Sequence, residues 1–211
     1  MTEATLPVVR PPFGNAESQS TVVGVVLAAG TSSRFGDANK LLAEWNGSPI
    51  VRHATETLRR SAVDAVAVVV GHQADRVRSV CTDLNVTVVE NADYGDGQAT
   101  SVRRGIEVAR ELGAGAILFA LGDMPAVDVE SIDRLVSAYH AGAGDALAAA
   151  CDGTRGNPVL FDDRYADALA DVAGDTGGRE LLIEGDQSAL VETGDRGVLL
   201  DVDRPKDLGA L

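Results

Sequence analysis

TVVGVVLAAGTSSRFGDANK, residues 21–40, is the stretch that decides how this chain folds. Val22 to Leu27 is apolar apart from Gly24, the pattern of a strand buried on both faces. Small residues follow, Ala28-Ala29-Gly30-Thr31-Ser32-Ser33, with Arg34 inside the loop and Lys40 at its end. Side chains this small let the backbone approach a ligand closely, and successive free N–H groups form a concave anion site. The two cations suit a chain of phosphates. No Gly-Lys-Ser/Thr follows at Walker spacing, and Gly-x-Gly-x-x-Gly is absent after the strand. The loop is therefore neither a P-loop nor a dinucleotide fingerprint.

Outward from this stretch, short apolar runs alternate with helical stripes. Strands are expected at 65–70, 86–89, 116–121, 146–150 and 197–200. Ser48-Pro49 suits a helix start, with Ile50, Ala54, Thr57 and Leu58 along one face. Residues 73–81 and 128–139 read as further helices, and Val102, Ile106, Ala109 and Leu112 make another helical stripe. Such alternation implies an α/β fold with a mostly parallel sheet, whose ligands sit beyond the carboxyl ends of the strands. Gly71 and His72 end the second strand on that side; His72 reads as an exposed loop residue, with a nucleotide contact as the alternative. Gly97, Gln98 and Ser101 lie at a helix N-terminus, which favours anions. Asp123, in Gly122-Asp123-Met124-Pro125, stands just past a buried strand end and is a hard oxygen ligand suited to Mg²⁺, while Asp128 is placed to cap the next helix.

Charge and composition narrow the function. The 211 residues fit one domain, and the 45% hydrophobic content is that of a globular protein. Residues 1–20, rich in Pro and polar side chains, read as a disordered tail, leaving 21–211 as the domain. No apolar run approaches the ~20 residues of a membrane span and no secretory signal is visible, so the expected setting is cytoplasmic, away from membranes. A net charge of −14 argues against general nucleic-acid binding. Cys81 and Cys151 lack metal or redox spacing. Only Lys40 and Lys206 are lysines among the 18 cations, which suggests that a compact point charge is wanted in the phosphate loop.

Taken together, the strings resemble the MobA/MocA-type nucleotidyltransferases, and most nearly the MocA-like molybdenum cofactor cytidylyltransferases. Leu27-Ala28-Ala29-Gly30, Arg34-Phe35-Gly36 and Lys40 match the family's first motif. Asn91 to Ser101 is similar to N-x-x-[WY]-x-x-G-x-x-x-S, and Gly122-Asp123-Met124-Pro125 to the metal-binding Gly-Asp-x-Pro. Gly156-Asn157-Pro158-Val159-Leu160-Phe161 resembles G-[HN]-P-V-L-F; residues 174–182 resemble the G-D-x-G-A-R element, with Gly178 where Ala is usual. Asp201-Val202-Asp203-Arg204-Pro205 resembles the closing D-[IV]-D-T-P, with Arg204 in place of Thr.

The resemblance implies a single-domain, three-layer α/β/α protein with a Rossmann-like sheet of the nucleotide-diphospho-sugar transferase type. It implies that Leu27, Ala28, Ala29, Gly30, Arg34, Lys40, Gly71, Asn91, Gly97 and Ser101 border the nucleotide. Arg34, Lys40 and Asp123 would carry catalysis, and Asp203, or less readily Asp201, would join Asp123 on Mg²⁺. Gly156, Asn157, Gly177 and Arg179 would hold the acceptor; a local helix cap at Asp175 or Thr176 is an equal alternative for the last element. The implied reaction is transfer of CMP from CTP to the phosphate of molybdopterin, with loss of pyrophosphate and an apo-molybdoenzyme as a downstream partner. Ala29, where the guanylyl branch writes Gly, favours a pyrimidine, although a methyl discriminates by only ~1–3 kcal/mol. GTP use, a sugar-phosphate acceptor and a non-catalytic molybdopterin-delivery chaperone are the alternatives.

Overall fold

The apolar run after Thr21 becomes an interior strand of an eight-stranded sheet, as its want of polar side chains requires. The computed structural model describes residues 6–14, 19–36, 38–171 and 178–211. In chain order the elements are β1 (Val8–Val9), β2 (Val22–Ala28), the hairpin β3 (Glu44–Trp45) and β4 (Ser48–Pro49), α1 (Ile50–Arg60), β5 (Ala65–Val70), α2 (Ala74–Val80) and β6 (Thr87–Glu90). They continue with α3 (Gln98–Glu111), β7 (Ala116–Leu121), α4 (Val129–His140), β8 (Ala146–Cys151) and β9 (Thr154–Asp162). Helices α5 (Ala166–Asp171) and α6 (Arg179–Glu184) and strand β10 (Ser188–Glu192) complete the set.

The sheet runs β1-β10-β8-β9-β7-β2-β5-β6, and every pairing is parallel except those of β9, which is antiparallel to β7 and β8. Alternate residues of each interior strand feed opposite layers. Val22, Val26, Val68 and Leu118 pack with Val51 and Leu58 of α1, Val77 of α2 and Ile132 and Leu135 of α4. Val23, Val25, Val69, Ile117 and Phe119 pack with Ile106 of α3, Leu169 of α5 and Leu182 of α6. Three layers, α/β/α, follow from that split. Gly24 interrupts the apolar run because α1 lies so near: a Cβ there would stand 2.7 Å from Leu58 Cδ2. Among the described residues no helix is long and apolar enough to cross a membrane.

Four details differ from the sequence reading. Val8–Val9, expected in a tail outside the domain, pair with Leu190 and Val191, and Leu190 N–H donates to the Pro7 carbonyl (2.8 Å). Two β-branched residues are too few to show a period, yet enough to cover the open edge of β10. Thr55 rather than Thr57 shares the buried face of α1. Residues 197–200, expected as a strand, are mostly a 3-10 turn, Arg196–Leu199. Asp195 folds it: Oδ1 accepts from Gly197 N (2.7 Å), while Oδ2 accepts from Asp128 N (2.9 Å) and Ser131 Oγ (2.8 Å). Thus the start of α4 is bound by Asp195, and Asp128 makes no capping bond with its own side chain.

Candidate active site

The carboxyl ends of β2 and β7, the turn at Tyr94 and Gly95 and the N-terminus of α3 enclose a cleft of about 440 Å³. Its shape depends on the loop that leaves β2. Ser32 adopts a left-handed backbone (φ 58°), and its hydroxyl donates to Asn39 Oδ1 (3.2 Å) while accepting from Lys40 N (3.1 Å). Asn39 is buried; its amide also takes the Leu41 N–H (3.0 Å) and donates to the His72 carbonyl (3.3 Å). That side chain, which the sequence reading did not single out, holds the loop shut on itself and sets Lys40 at its exit.

Lys40 Nζ lies 2.5 Å from Asp123 Oδ2 and 3.2 Å from Asp203 Oδ1. Arg34 Nη1 reaches the other oxygen of Asp203 at 2.5 Å. Asp123 follows β7, and its backbone carbonyl accepts from Val202 N (2.9 Å), which draws the segment 201–203 across the strand end. Asp207 braces that segment by accepting from Asp203 N (3.1 Å) and Arg204 N (2.7 Å). One oxygen each from Asp123, Asp201 and Asp203 then lie within 4.8 Å of one another. Carboxylates so close repel by at least about 3 kcal/mol per pair at an effective dielectric near 20. Cations must therefore offset them.

The ionisation of these groups follows from that crowding. Burial works against the Lys40 ammonium, but Asp123 and Asp203 outweigh it and raise its pKa. Burial also pushes Asp203 up, yet the hydrogen bonds from Arg34 and Lys40 hold it below the usual carboxylate range. Asp201, with burial and then two neighbouring carboxylates against it, is raised. Asp123 Oδ1 is buried and has no hydrogen-bond partner among the described residues. An orphaned carboxylate oxygen beside two further carboxylates is the donor set of a hard divalent cation, so the residues present fit one.

The remaining expected residues divide. Leu27, Ala29, Gly30, Gly97 and Ser101 line the cleft with Lys40 and Asp123. Arg34 lines an adjoining hollow with Ser32, Lys40 and Asp203. Ala28 does not reach the cleft, because its methyl is buried in the core. Gly71 supports the wall from behind; a Cβ there would fall 2.7 Å from Tyr94 Cβ and 2.8 Å from Ala29 Cβ. Asn91 is a positioning residue: its Nδ2 donates to Thr100 Oγ1 (2.9 Å) and Ser101 Oγ (3.0 Å), fixing the first turn of α3. His72 donates its N–H to the Ala29 carbonyl (3.1 Å), and its ring sits 6.1 Å from that of Tyr94. Tyr94 and Gln98 join the lining without having been named as ligands.

A second cavity of about 410 Å³ adjoins the first and shares Leu27, Gln98 and Leu121 with it. Asn157, Arg155 and Arg179 line it. Gly156 does not: a Cβ there would strike the Val198 carbonyl oxygen at 2.1 Å, so this glycine serves backbone packing. Gly177, with Asp175 and Thr176, lies outside the described residues. Arg103 donates to the Ala170 carbonyl (3.0 and 3.1 Å) and Arg104 to Glu90 and Glu107, so both brace α3.

Comparison with known proteins agrees with this geometry. The model of the MobA-like NTP transferase domain matches residues 24–189. Nicotine blue oxidoreductase of Paenarthrobacter nicotinovorans is 32% identical over 170 residues, covering 76% of this chain and 81% of that protein. The purine catabolism protein PucB of Bacillus subtilis is 29% identical over 196 residues, covering 88% and 93%. A nucleotidyl transferase from Methanothermobacter shares the fold with a TM-score of 0.76 at 24% identity, covering 93% of this chain and 96% of that one. With its cleft, its cation-bridged carboxylates and this match, the chain belongs to the MobA-like NTP transferase domain family and is a nucleotidyltransferase.

Proposed function

We propose that the protein transfers CMP from CTP to the phosphate of molybdopterin, with Mg²⁺, releasing pyrophosphate and forming the cytosine dinucleotide of the cofactor. The observation that carries this reading is the contact between Lys40 and Asp123 at the mouth of a cleft floored by small residues, with a second cavity adjoining it. Base and ribose lie between the β2 loop and the first turn of α3, where Gly97, Gln98 and Ser101 face them. Lys40 and Arg34 neutralise the triphosphate, and the α3 N-terminus adds backbone N–H groups. Mg²⁺ would be held by Asp123 and Asp203 and would supply Lewis-acid charge neutralisation there. The acceptor phosphate is already ionised, so alignment and charge neutralisation suffice and no general base is required. Asn157 and Arg179 hold the acceptor from the second cavity. The Ala29 methyl, on the cleft wall, favours the smaller base.

Two free, buried thiols suit a reducing cytoplasmic setting, and an apo-molybdoenzyme is the recipient of the product. The test is pyrophosphate release with CTP, GTP and ATP, each with and without molybdopterin. Release with CTP only when molybdopterin is present supports the proposal. Release with GTP or ATP alone moves the base assignment; binding without release makes the protein a carrier.

A further inference from the structure

The chain carries 32 acidic against 18 basic side chains, yet the described residues lining the second cavity include two arginines and no carboxylate. Arg155 stands at the start of β9 and Arg179 at the start of α6, on separate elements that converge on the same space. Below them the floor is apolar: Phe119, Val159, Phe161, Leu169 and Leu182. Among the described residues no hydrogen bond or ion pair reaches the Arg155 guanidinium, and burial together with the charge of Arg179 lowers its pKa. Arg155, partly desolvated and repelled by the neighbouring charge of Arg179, is relieved by an anion bound beside it.

These arginines do not line the nucleotide cleft, and neither Lys40 nor Asp123 lines the second cavity. Any group that attacks a bound nucleotide must lie on the Lys40–Asp123 side. We infer that the acceptor carries a second anionic group, separate from the reacting one, which Arg155 and Arg179 bind while the flat face of a ring of the acceptor rests on Phe119 and Phe161. The substrate class is thereby narrowed to acceptors with two anionic groups and a flat ring between or beside them. This inference rests on the proposed reading of the second cavity as the acceptor site, and it adds Arg155 as a specificity-determining residue.

The test pairs two probes of the same ring system, 8-anilinonaphthalene-1-sulfonate, an anion, and N-phenyl-1-naphthylamine, its neutral counterpart, followed by fluorescence. The wild-type protein is expected to bind the sulfonate saturably. Arg155→Gln/Arg179→Gln is expected to weaken it at least about tenfold, with the neutral probe unchanged and Arg155→Lys recovering part of the loss. Absence of saturable sulfonate binding, an unchanged sulfonate affinity in the double variant, or an equal loss for both probes would overturn the inference. Calorimetry of CTP with Mn²⁺ separates the two claims. Retained CTP affinity in the double variant supports the assignment, whereas a matching loss would mean that the arginines serve the nucleotide. If the wild-type protein binds no nucleotide, the proposed function falls while the paired probes still decide the anion site.

Discussion

Lys40 Nζ stands 2.5 Å from Asp123 Oδ2, bridging at the same time to Asp203. The ammonium sits where a divalent cation would also be drawn, so the two compete until a triphosphate gives Lys40 another anionic partner. Lys40→Ala should therefore bind Mn²⁺ about tenfold more tightly than the wild type when no nucleotide is present. The same change should lower kcat by about 10²–10³, as loss of a charge-stabilising donor does elsewhere. Manganese titration followed by paramagnetic resonance, beside steady-state rates, reads both effects.

Asp123→Asn keeps the shape of the side chain and removes the charge. Turnover should fall by more than about 10³ while the thermal midpoint stays within a few degrees, because the weakened bond to Lys40 is offset by less repulsion from Asp201 and Asp203, and Lys40 keeps Asp203 as its partner. Substantial Mg²⁺-dependent pyrophosphate release by this variant would refute the metal assignment.

Asn39→Ala tests the loop. It leaves the Leu41 N–H and the His72 carbonyl without their side-chain partner and frees Ser32. The expected cost is about 1–3 kcal/mol in urea unfolding. A raised KM for the nucleotide should accompany it, since Lys40 is no longer held at the loop exit.

Gly156→Ala should cost at least about 1–3 kcal/mol, because the methyl would strike the Val198 carbonyl. An unchanged melting temperature would return this glycine to the list of ligand contacts.

Tyr139 gives the protein an alkaline weakness. Burial first, and then the hydrogen bond to Asp162 (2.7 Å), push its phenol up to about 12. An unfolded chain loses this proton near pH 10, so the folded chain binds it more tightly. The contribution is whole below about pH 10 and is lost as pH rises toward 12. Tyr139→Phe should lose about 1–2 kcal/mol at pH 8 and show a shallower decline above pH 10, measured by urea midpoints across that range.

How much of this is legible in the sequence depends on how local each signal is. The β2 strand, its loop and Asp123 are contiguous patterns, and the structure brings Lys40, Asp123 and Asp203 together as the motifs imply. β9 and β10 carry no clear strand signal in the sequence, since Gly156 and Pro158 punctuate the first and the second is short. Asn39 carried no signal because its importance lies in bonds to Ser32, Leu41 and His72, and no periodicity reports such bonds. The side to which Arg155 faces depends on the antiparallel placement of β9 between β7 and β8, which only the sheet order reveals.

Asp203 is delivered to its partners by a stretch that belongs to no strand, tethered through the Val202 amide and the Asp207 carboxylate. Three such hydrogen bonds are far fewer than those that hold the layered core. On warming, this stretch should come loose before the sheet does, so that turnover dies while the circular-dichroism spectrum still looks native.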